Sequence, residues 1–121
     1  MIIRPEQMEV FQQKLVKEFE RLALDHLRTE LTEITDDLTD QELCARIRDC
    51  VPRAELYGLE DQDELLAFID STYLLDDPAF DTTPSFPWAQ RILKNKYLDS
   101  QEKADELLDR AFSEHQSMSG D

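Results

Sequence analysis

The chain has 121 residues and a mass of 14.2 kDa, and its 28 acidic residues against 13 basic ones give a formal net charge of -15. This length suits one domain with its own core, and the charge argues against direct binding of DNA, RNA or an anionic membrane, because each needs a basic patch. Two cysteines and two glycines exclude a disulfide scaffold and a flexible linker protein. There is no apolar run of about 18 residues and no signal-peptide pattern at the N-terminus, so we expect a cytoplasmic protein with no membrane partner.

The N-terminal third predicts a long helix that begins near Pro5, a residue suited to the first turn. Apolar residues recur there every three or four positions on one stripe, at Met8, Phe11, Leu15, Phe19 and Leu22. A second stripe, about 100° or more round the helix, holds Leu24, Leu27, Leu31 and Ile34. The change of stripe predicts a bend or break between residues 26 and 30.

A second helix is predicted from a capping box, in which Thr39 and Glu42 each satisfy a backbone amide of the first turn. Pro52 lies inside this helix and removes an amide donor. We therefore expect either a kink at residues 50–52 or two short helices. Gly58 suits the helix end.

A third helix opens with the same spacing at Asp61 and Glu64, and we expect its carboxylates on the solvent face. The stretch 75–87 holds three prolines and no clear period, so it predicts a loop. Phe80 and Phe86 are candidate anchors of that loop.

Two more helices are predicted in the last part of the chain. A short one starts at Pro87, and a longer one is capped by Asp99 or Ser100. Residues 117–121 are expected to be a disordered tail, which leaves one helical domain over residues 1–116. With no strand-like alternation or internal repeat, the predicted fold class is all-α: a compact bundle of five or six helices, with a kinked second helix and a proline-rich loop.

The residue types that carry catalysis or metals form no recognised pattern. Cys44 and Cys50 are wrongly spaced for a disulfide or a zinc site. His26 and His115 fall on apolar faces near helix ends, where a core histidine or a dipole contact outweighs a ligand or general base. The aspartates of the loop lack the ligand spacing of an EF-hand. We therefore predict no catalytic residue, metal or cofactor.

One window of the sequence indicates recognition of another molecule. Between Arg53 and Arg91 there is no lysine or arginine, yet the window carries nine carboxylates and six of the ten aromatic residues. Carboxylates without counter-charges repel one another, so the window is either a solvated acidic face over a core or a surface for a protein partner with a basic surface. The candidate partner-binding residues are Asp61, Asp63, Asp76, Asp77, Phe80 and Asp81.

Three segments, MIIRPEQMEVF, RAELYGLEDQDELLAFI and FDTTPSFPWAQRIL, resemble a known group of proteins. These are small helical proteins encoded in bacterial type VI secretion gene clusters, beside effectors, spike proteins and their adaptors. The matching positions are Arg53, Ala54, Tyr57, Gly58, Phe80, Asp81, Pro84, Pro87, Trp88 and Ala89. The resemblance implies a non-enzymatic adaptor or co-chaperone that holds an effector, or another adaptor, before it is loaded on the spike.

Structural roles are the simpler interpretation at three matching positions. Arg53 is a candidate for an ion pair inside the domain, Gly58 for the end of a helix, and Trp88 for an anchor of the loop to the core.

Two alternative functions use the same acidic surface. One is an immunity protein that neutralises a basic toxin, and the other is an acidic mimic of nucleic acid. The sequence also leaves open whether the chain forms a homodimer.

Overall fold

The computed structural model describes the backbone of residues 5–119 and the side chains of residues 17–117. Within this part the chain is all-helical, which confirms the predicted fold class. Its six helices are α1 (Pro5–Glu30), α2 (Thr32–Thr35), α3 (Asp40–Leu56), α4 (Gln62–Leu74), α5 (Pro87–Leu93) and α6 (Ser100–Ser119). The side chains of Met8, Phe11 and Leu15, from the first predicted stripe, lie outside the described residues.

Helix α1 turns its second predicted stripe toward the core. Leu27 and Leu31 are buried, whereas Leu22 of the first stripe is 38% exposed. The helix ends at Glu30, where a break was predicted, and the short α2 follows it after one residue.

Helix α3 begins with the predicted capping box, in which the backbone amide of Glu42 donates to the Thr39 hydroxyl at 3.1 Å. It continues through Pro52 as one helix, so the alternative of two short helices is not what forms. Pro52 is exposed, so the carbonyl that loses its amide partner there can be hydrated.

The end of α3 is closed by a Schellman motif around Gly58. Gly58 has a φ of +86°, its amide donates to the carbonyl of Glu55 at 3.0 Å, and the amide of Leu59 donates to that of Ala54 at 3.1 Å. The turn brings Leu59, which is fully buried, back onto the core.

Helix α4 is the centre of the bundle, because it packs against α3 and α6 and also contacts α1. Its buried apolar residues are Leu65, Ala67, Phe68, Ile69, Tyr73 and Leu74. They surround most of the helix, which is typical of a helix enclosed by others. The expectation that its carboxylates face solvent holds for Asp63 but is wrong for Glu64 and Asp70, which are buried.

The loop between α4 and α5 folds onto the core and leads into the last two helices. Phe80 in this loop is fully buried, with its ring centroid 5.0 Å from that of Phe68. Helix α6 extends to Ser119, which is inside the segment expected to be a disordered tail, and residues 120–121 lie outside the described part of the chain.

Candidate functional site

The predicted acidic residues do not lie on one surface. Asp61 and Asp63 are exposed at the start of α4, whereas Asp76 is exposed and Asp77 half-buried just after its end. Fifteen residues separate Asp61 from Asp76, which corresponds to roughly 22 Å at the helical rise per residue. The two pairs therefore lie at opposite ends of α4.

Asp76 and Asp77 shape the end of α4. Asp76 has a φ of +52°, and it occupies the left-handed position of a second Schellman motif, in which the amide of Asp77 donates to the carbonyl of Thr72 at 3.0 Å. The Asp77 carboxylate accepts a hydrogen bond from the amide of Ala79 at 2.9 Å. Both acids therefore have a local structural role.

Phe80 and Asp81 were expected to contact a partner, and the structure corrects this. Phe80 is 0% exposed and Asp81 is 2% exposed. Phe80 fills space beside Phe68 in the core, and the Asp81 carboxylate is enclosed by groups of α3. A surface partner cannot reach either side chain in this conformation.

Asp81 is held by two groups at the C-terminal end of α3. Arg53 donates to one carboxylate oxygen, and the Tyr57 hydroxyl donates to the other at 2.9 Å. Burial, together with the hydrogen bond to Asp81, raises the pKa of Tyr57 to about 12. Arg53 also pairs with Asp49 at 2.8 Å and lies over the Phe68 ring. The internal ion pair expected for Arg53 is thus present, and it ties the loop to α3.

Trp88, the only tryptophan, lies at the start of α5 and is 8% exposed. Its ring packs edge-to-face with that of Phe86, with 6.0 Å between the ring centroids. The Arg110 guanidinium of α6 lies 5.3 Å from the Trp88 ring centroid. The ring therefore joins the loop, α5 and α6.

A partly buried pair that the sequence did not predict joins α1 to α4. Nε2 of His26 lies 3.0 and 2.8 Å from the two carboxylate oxygens of Asp70, whose side chain is only 7% exposed. This hydrogen bond, aided by the charge of Asp70 and opposed by burial, raises the pKa of His26. Burial in turn raises the pKa of Asp70, although the hydrogen bond from His26 opposes it.

Glu64 is a second buried carboxylate with distant partners. It accepts hydrogen bonds from the backbone amides of Glu60 and Asp61 at 3.1 and 3.2 Å, and from the Ser100 hydroxyl of α6 at 2.7 Å. Burial disfavours its charged form, but these donors outweigh burial and lower the pKa of Glu64. It joins the start of α4 to the start of α6.

The buried carboxylates and their partners form hydrogen bonds and ion pairs that join the helices. Within residues 17–117, no buried side-chain nitrogen or oxygen lacks a hydrogen-bond partner. The Cys50 thiol is buried, and burial raises its pKa to about 12, so it stays protonated at neutral pH. Among the described residues, no group of three histidine, cysteine, aspartate or glutamate side chains is placed to hold a metal ion.

An open groove of about 420 Å³ lies between α1, α3 and the start of α4. Phe19 and Val51 are half-buried on its walls, and Leu65 lies beneath them. Glu55 and Glu60 lie on its rim and are exposed. Asp61 and Asp63 do not line the groove, but they adjoin in the chain the lining residue Gln62, which follows Glu60 by two positions.

No family model, curated protein or solved structure matched the chain. Among residues 5–119 there is also no helix that is long and apolar enough to cross a membrane. The groove between α1, α3 and the start of α4 is called the acidic groove below, because the exposed carboxylates of Glu18, Glu55 and Glu60 form its rim. Its combination of apolar walls and exposed carboxylates is the feature from which a function can be proposed.

Proposed function

We propose that the chain is a non-enzymatic protein-binding accessory, an adaptor or co-chaperone, of a type VI secretion effector or of its loading complex, acting in the cytoplasm. The secretion context comes from the resemblance of three segments to proteins of such gene clusters. The observation that supports a binding role is the acidic surface at the start of α4, where Asp61 and Asp63 are exposed on either side of Gln62, a residue that lines the acidic groove.

The charge of the domain favours a basic partner. Four arginines of the described part already form ion pairs with carboxylates of the same chain: Arg28, Arg48, Arg53 and Arg110. With these cations engaged and a formal net charge of -15, the surface keeps a large excess of carboxylates. Such a surface attracts a partner with a basic patch and speeds its association.

The secretion role can be tested in the native host by deleting the gene and measuring the abundance and the secretion of the neighbouring effector. We expect both to fall, and the full-length chain supplied on a plasmid to restore them. A deletion that leaves both unchanged, in cells that die only when attacked by sibling cells, would identify an immunity protein instead.

Two charge-reversal variants test the surface. Asp61→Lys with Asp63→Lys changes the start of α4, and Asp76→Lys with Asp77→Lys makes the same change in charge at its other end. We expect the first pair to reduce co-purification of the effector by about tenfold or more, because it reverses charge beside the groove. The second pair should reduce it much less.

Circular dichroism must show that both variants are folded, because Asp61 is the N-cap residue of α4 and the Asp77 carboxylate accepts a hydrogen bond in the turn that follows the helix. If both folded pairs bind as the wild type does, the acids of α4 have no part in binding. Competition between the chain and DNA for the same target would support the nucleic-acid mimic, and that binding should weaken steeply with salt.

A further inference from the structure

The acidic groove has an apolar interior that the described side chains, those of residues 17–117, leave partly open. Phe19 of α1 and Val51 of α3 pack against the core yet remain half-buried, and buried Ile47 and Leu65 lie beneath them. A volume of about 420 Å³ lies toward the lower end of the range for ligand clefts, on the order of 300–1,000 Å³. The groove can therefore take a few apolar side chains, but not a whole helix.

The rim of the groove is negative on the sides that face solvent. Its one arginine, Arg48, is already neutralised, since it donates two hydrogen bonds to Glu20 at 2.5 and 3.1 Å. Glu18, Glu55 and Glu60 are exposed, and within the described residues none of them forms an ion pair. An occupant that brings positive charge to the rim would gain attraction without first breaking an internal pair.

We infer that the acidic groove binds an amphipathic helix of a protein partner, whose apolar side chains enter between Phe19 and Val51 and whose lysines or arginines face the rim. Apolar anchors at helical spacing i, i+3, i+4 and i+7 are the usual way in which a helix occupies a groove, and residues three or four apart lie close enough to enter one small groove together. The inference rests on the proposed function in one respect, namely that the partner is a protein.

Other occupants fit the groove less well. A second copy of this chain would bring its own formal charge of -15 to the same acids, so like charges would oppose the contact. An anionic small molecule would meet the same repulsion. A small organic cation could pair with the carboxylates of the rim, but it would leave much of the apolar interior exposed to water.

The test uses the full-length chain and a labelled synthetic helical peptide of about 15 residues, with leucines at i, i+3, i+4 and i+7 and lysines on both sides of them. A second peptide has the same composition, but its leucines are distributed round the helix. Fluorescence anisotropy gives the two dissociation constants, and amide chemical shifts locate the bound peptide. We expect the first peptide to bind at least tenfold more tightly and to shift the amides of Phe19, Val51 and Leu65.

Three variants separate the charged rim from the apolar interior. Glu55→Lys with Glu60→Lys should weaken the first peptide by about tenfold or more, and Val51→Gln should weaken it with no change of charge. Glu106→Lys with Asp109→Lys on α6 is the matched control, because it makes the same change in charge at two exposed residues and α6 packs against α4 and α5 rather than along the groove. It should bind as the wild type does.

Several results would overturn the inference. These are equal binding of the two peptides, no binding of either, unchanged affinity in folded groove variants, or chemical shifts confined to another face. Displacement of the peptide by spermine at equal affinity would assign the groove to a small cation, and a dimer lost on Glu55→Lys with Glu60→Lys would assign it to a second copy.

The host experiment separates this inference from the proposed function. If the groove variants restore effector secretion in the deletion strain, the accessory function stands and the groove is not its binding site. If the peptide binds as expected but deletion does not affect the effector, the groove stands and the secretion role is wrong.

Discussion

The buried pair of Arg53 and Asp81 predicts an unequal response to the loss of each partner. The Asp81 side chain is 3% exposed, whereas that of Arg53 is 24% exposed. Replacing Arg53 leaves a carboxylate that water cannot reach, with Tyr57 as its remaining donor. Replacing Asp81 leaves a guanidinium that still reaches solvent and still pairs with Asp49. Removal of the arginine should therefore cost more.

The magnitudes follow from this difference in exposure. Arg53→Met keeps the aliphatic packing on Phe68 but leaves a buried charge without a counter-ion, which should lower the free energy of unfolding by about 3–5 kcal/mol. Asp81→Asn keeps the volume and an oxygen that can accept from Tyr57, so it loses mainly a charged hydrogen bond, worth about 1.5–3 kcal/mol.

Urea unfolding followed by far-ultraviolet circular dichroism measures both values, and the double variant completes the cycle. Arg53→Met with Asp81→Asn should be more stable than Arg53→Met alone, because the second change removes the stranded charge. Asp49→Ala is the control for the exposed half of the network, and it should cost only about 0.3–0.5 kcal/mol as an exposed pair one helical turn apart.

Two outcomes would refute this reasoning. In the first, Asp81→Asn is at least as destabilising as Arg53→Met. In the second, the double variant loses the full sum of the single changes, which would mean that Asp81 is solvated or that its stability does not depend on Arg53.

Three further predictions concern other parts of the bundle. Asp76→Gly should raise the free energy of unfolding by about 0.5–1 kcal/mol, because it relieves an L-residue at positive φ and removes an acid from a helix C-terminus; chemical denaturation measures the change. Trp88→Ala should lower the melting temperature and cost about 3–5 kcal/mol, because the ring is buried. The pair of His26 and Asp70 should make stability fall as pH rises: the raised pKa of His26 means that its contribution is complete below the usual 6.5 and is lost as pH rises through the folded-state value. Denaturation across this range should show a smaller slope in His26→Gln.

Matched variants make these three predictions refutable. Gly58→Asp places an aspartate at the corresponding position of α3. No atom lies within 4 Å of the place that its Cβ would occupy, so the variant should destabilise through the backbone alone. Stabilisation by that variant, or destabilisation by Asp76→Gly, would contradict the strain argument. A Trp88→Ala variant that keeps its stability but loses partner binding would make Trp88 a contact residue. A pH slope that His26→Gln leaves unchanged would show that the pair of His26 and Asp70 does not cause it.

Helix ends could be predicted where a local signal determines them. The capping box of Thr39 and Glu42, Gly58 at the end of α3 and Pro87 at the start of α5 all act within a few residues of their own positions. For α4, Pro78 predicts that the helix stops before it, as it does, but no residue marks the last turn. Asp76 adopts the left-handed conformation there, which an aspartate tolerates but which its presence does not predict.

Burial of α4 on nearly all sides could not be read from its own sequence. Its polar residues gave it the pattern of a half-exposed helix, and their partners lie far along the chain. Asp70 is satisfied by His26, 44 residues away, and Glu64 by Ser100, 36 residues away. The hydrophobic periodicity of a helix depends only on its own residues. It cannot predict hydrogen bonds to side chains of α1 or α6, which depend on how the helices pack.

The candidate site was predicted in part, for the same physical reason. Asp81 was taken as a surface acid because nothing nearby in the sequence neutralises it, yet Arg53 reaches it across 28 residues. Phe80 is buried beside Asp81, because the ion pair of Asp81 with Arg53 fixes this part of the loop against the core. The groove could not be predicted either, because its walls come from α1, α3 and α4 and no single segment of the sequence indicates how these helices pack.

The nine carboxylates of the window without basic residues therefore divide by role. Three are buried and hydrogen-bonded, namely Glu64, Asp70 and Asp81. Three lie where α4 begins and ends, namely Asp61, Asp76 and Asp77.

The three that remain are Glu55, Glu60 and Asp63, which are exposed and form no ion pair or side-chain hydrogen bond within the described residues. All three lie within nine positions of one another, across the turn from α3 to α4. Negative charge without an ion pair among the described residues is thus concentrated at this turn, where Glu55 and Glu60 line the apolar groove between α1, α3 and α4. A partner can engage charge and apolar surface together at that end of the bundle, which is why its variants should affect binding more than those at Asp76 and Asp77.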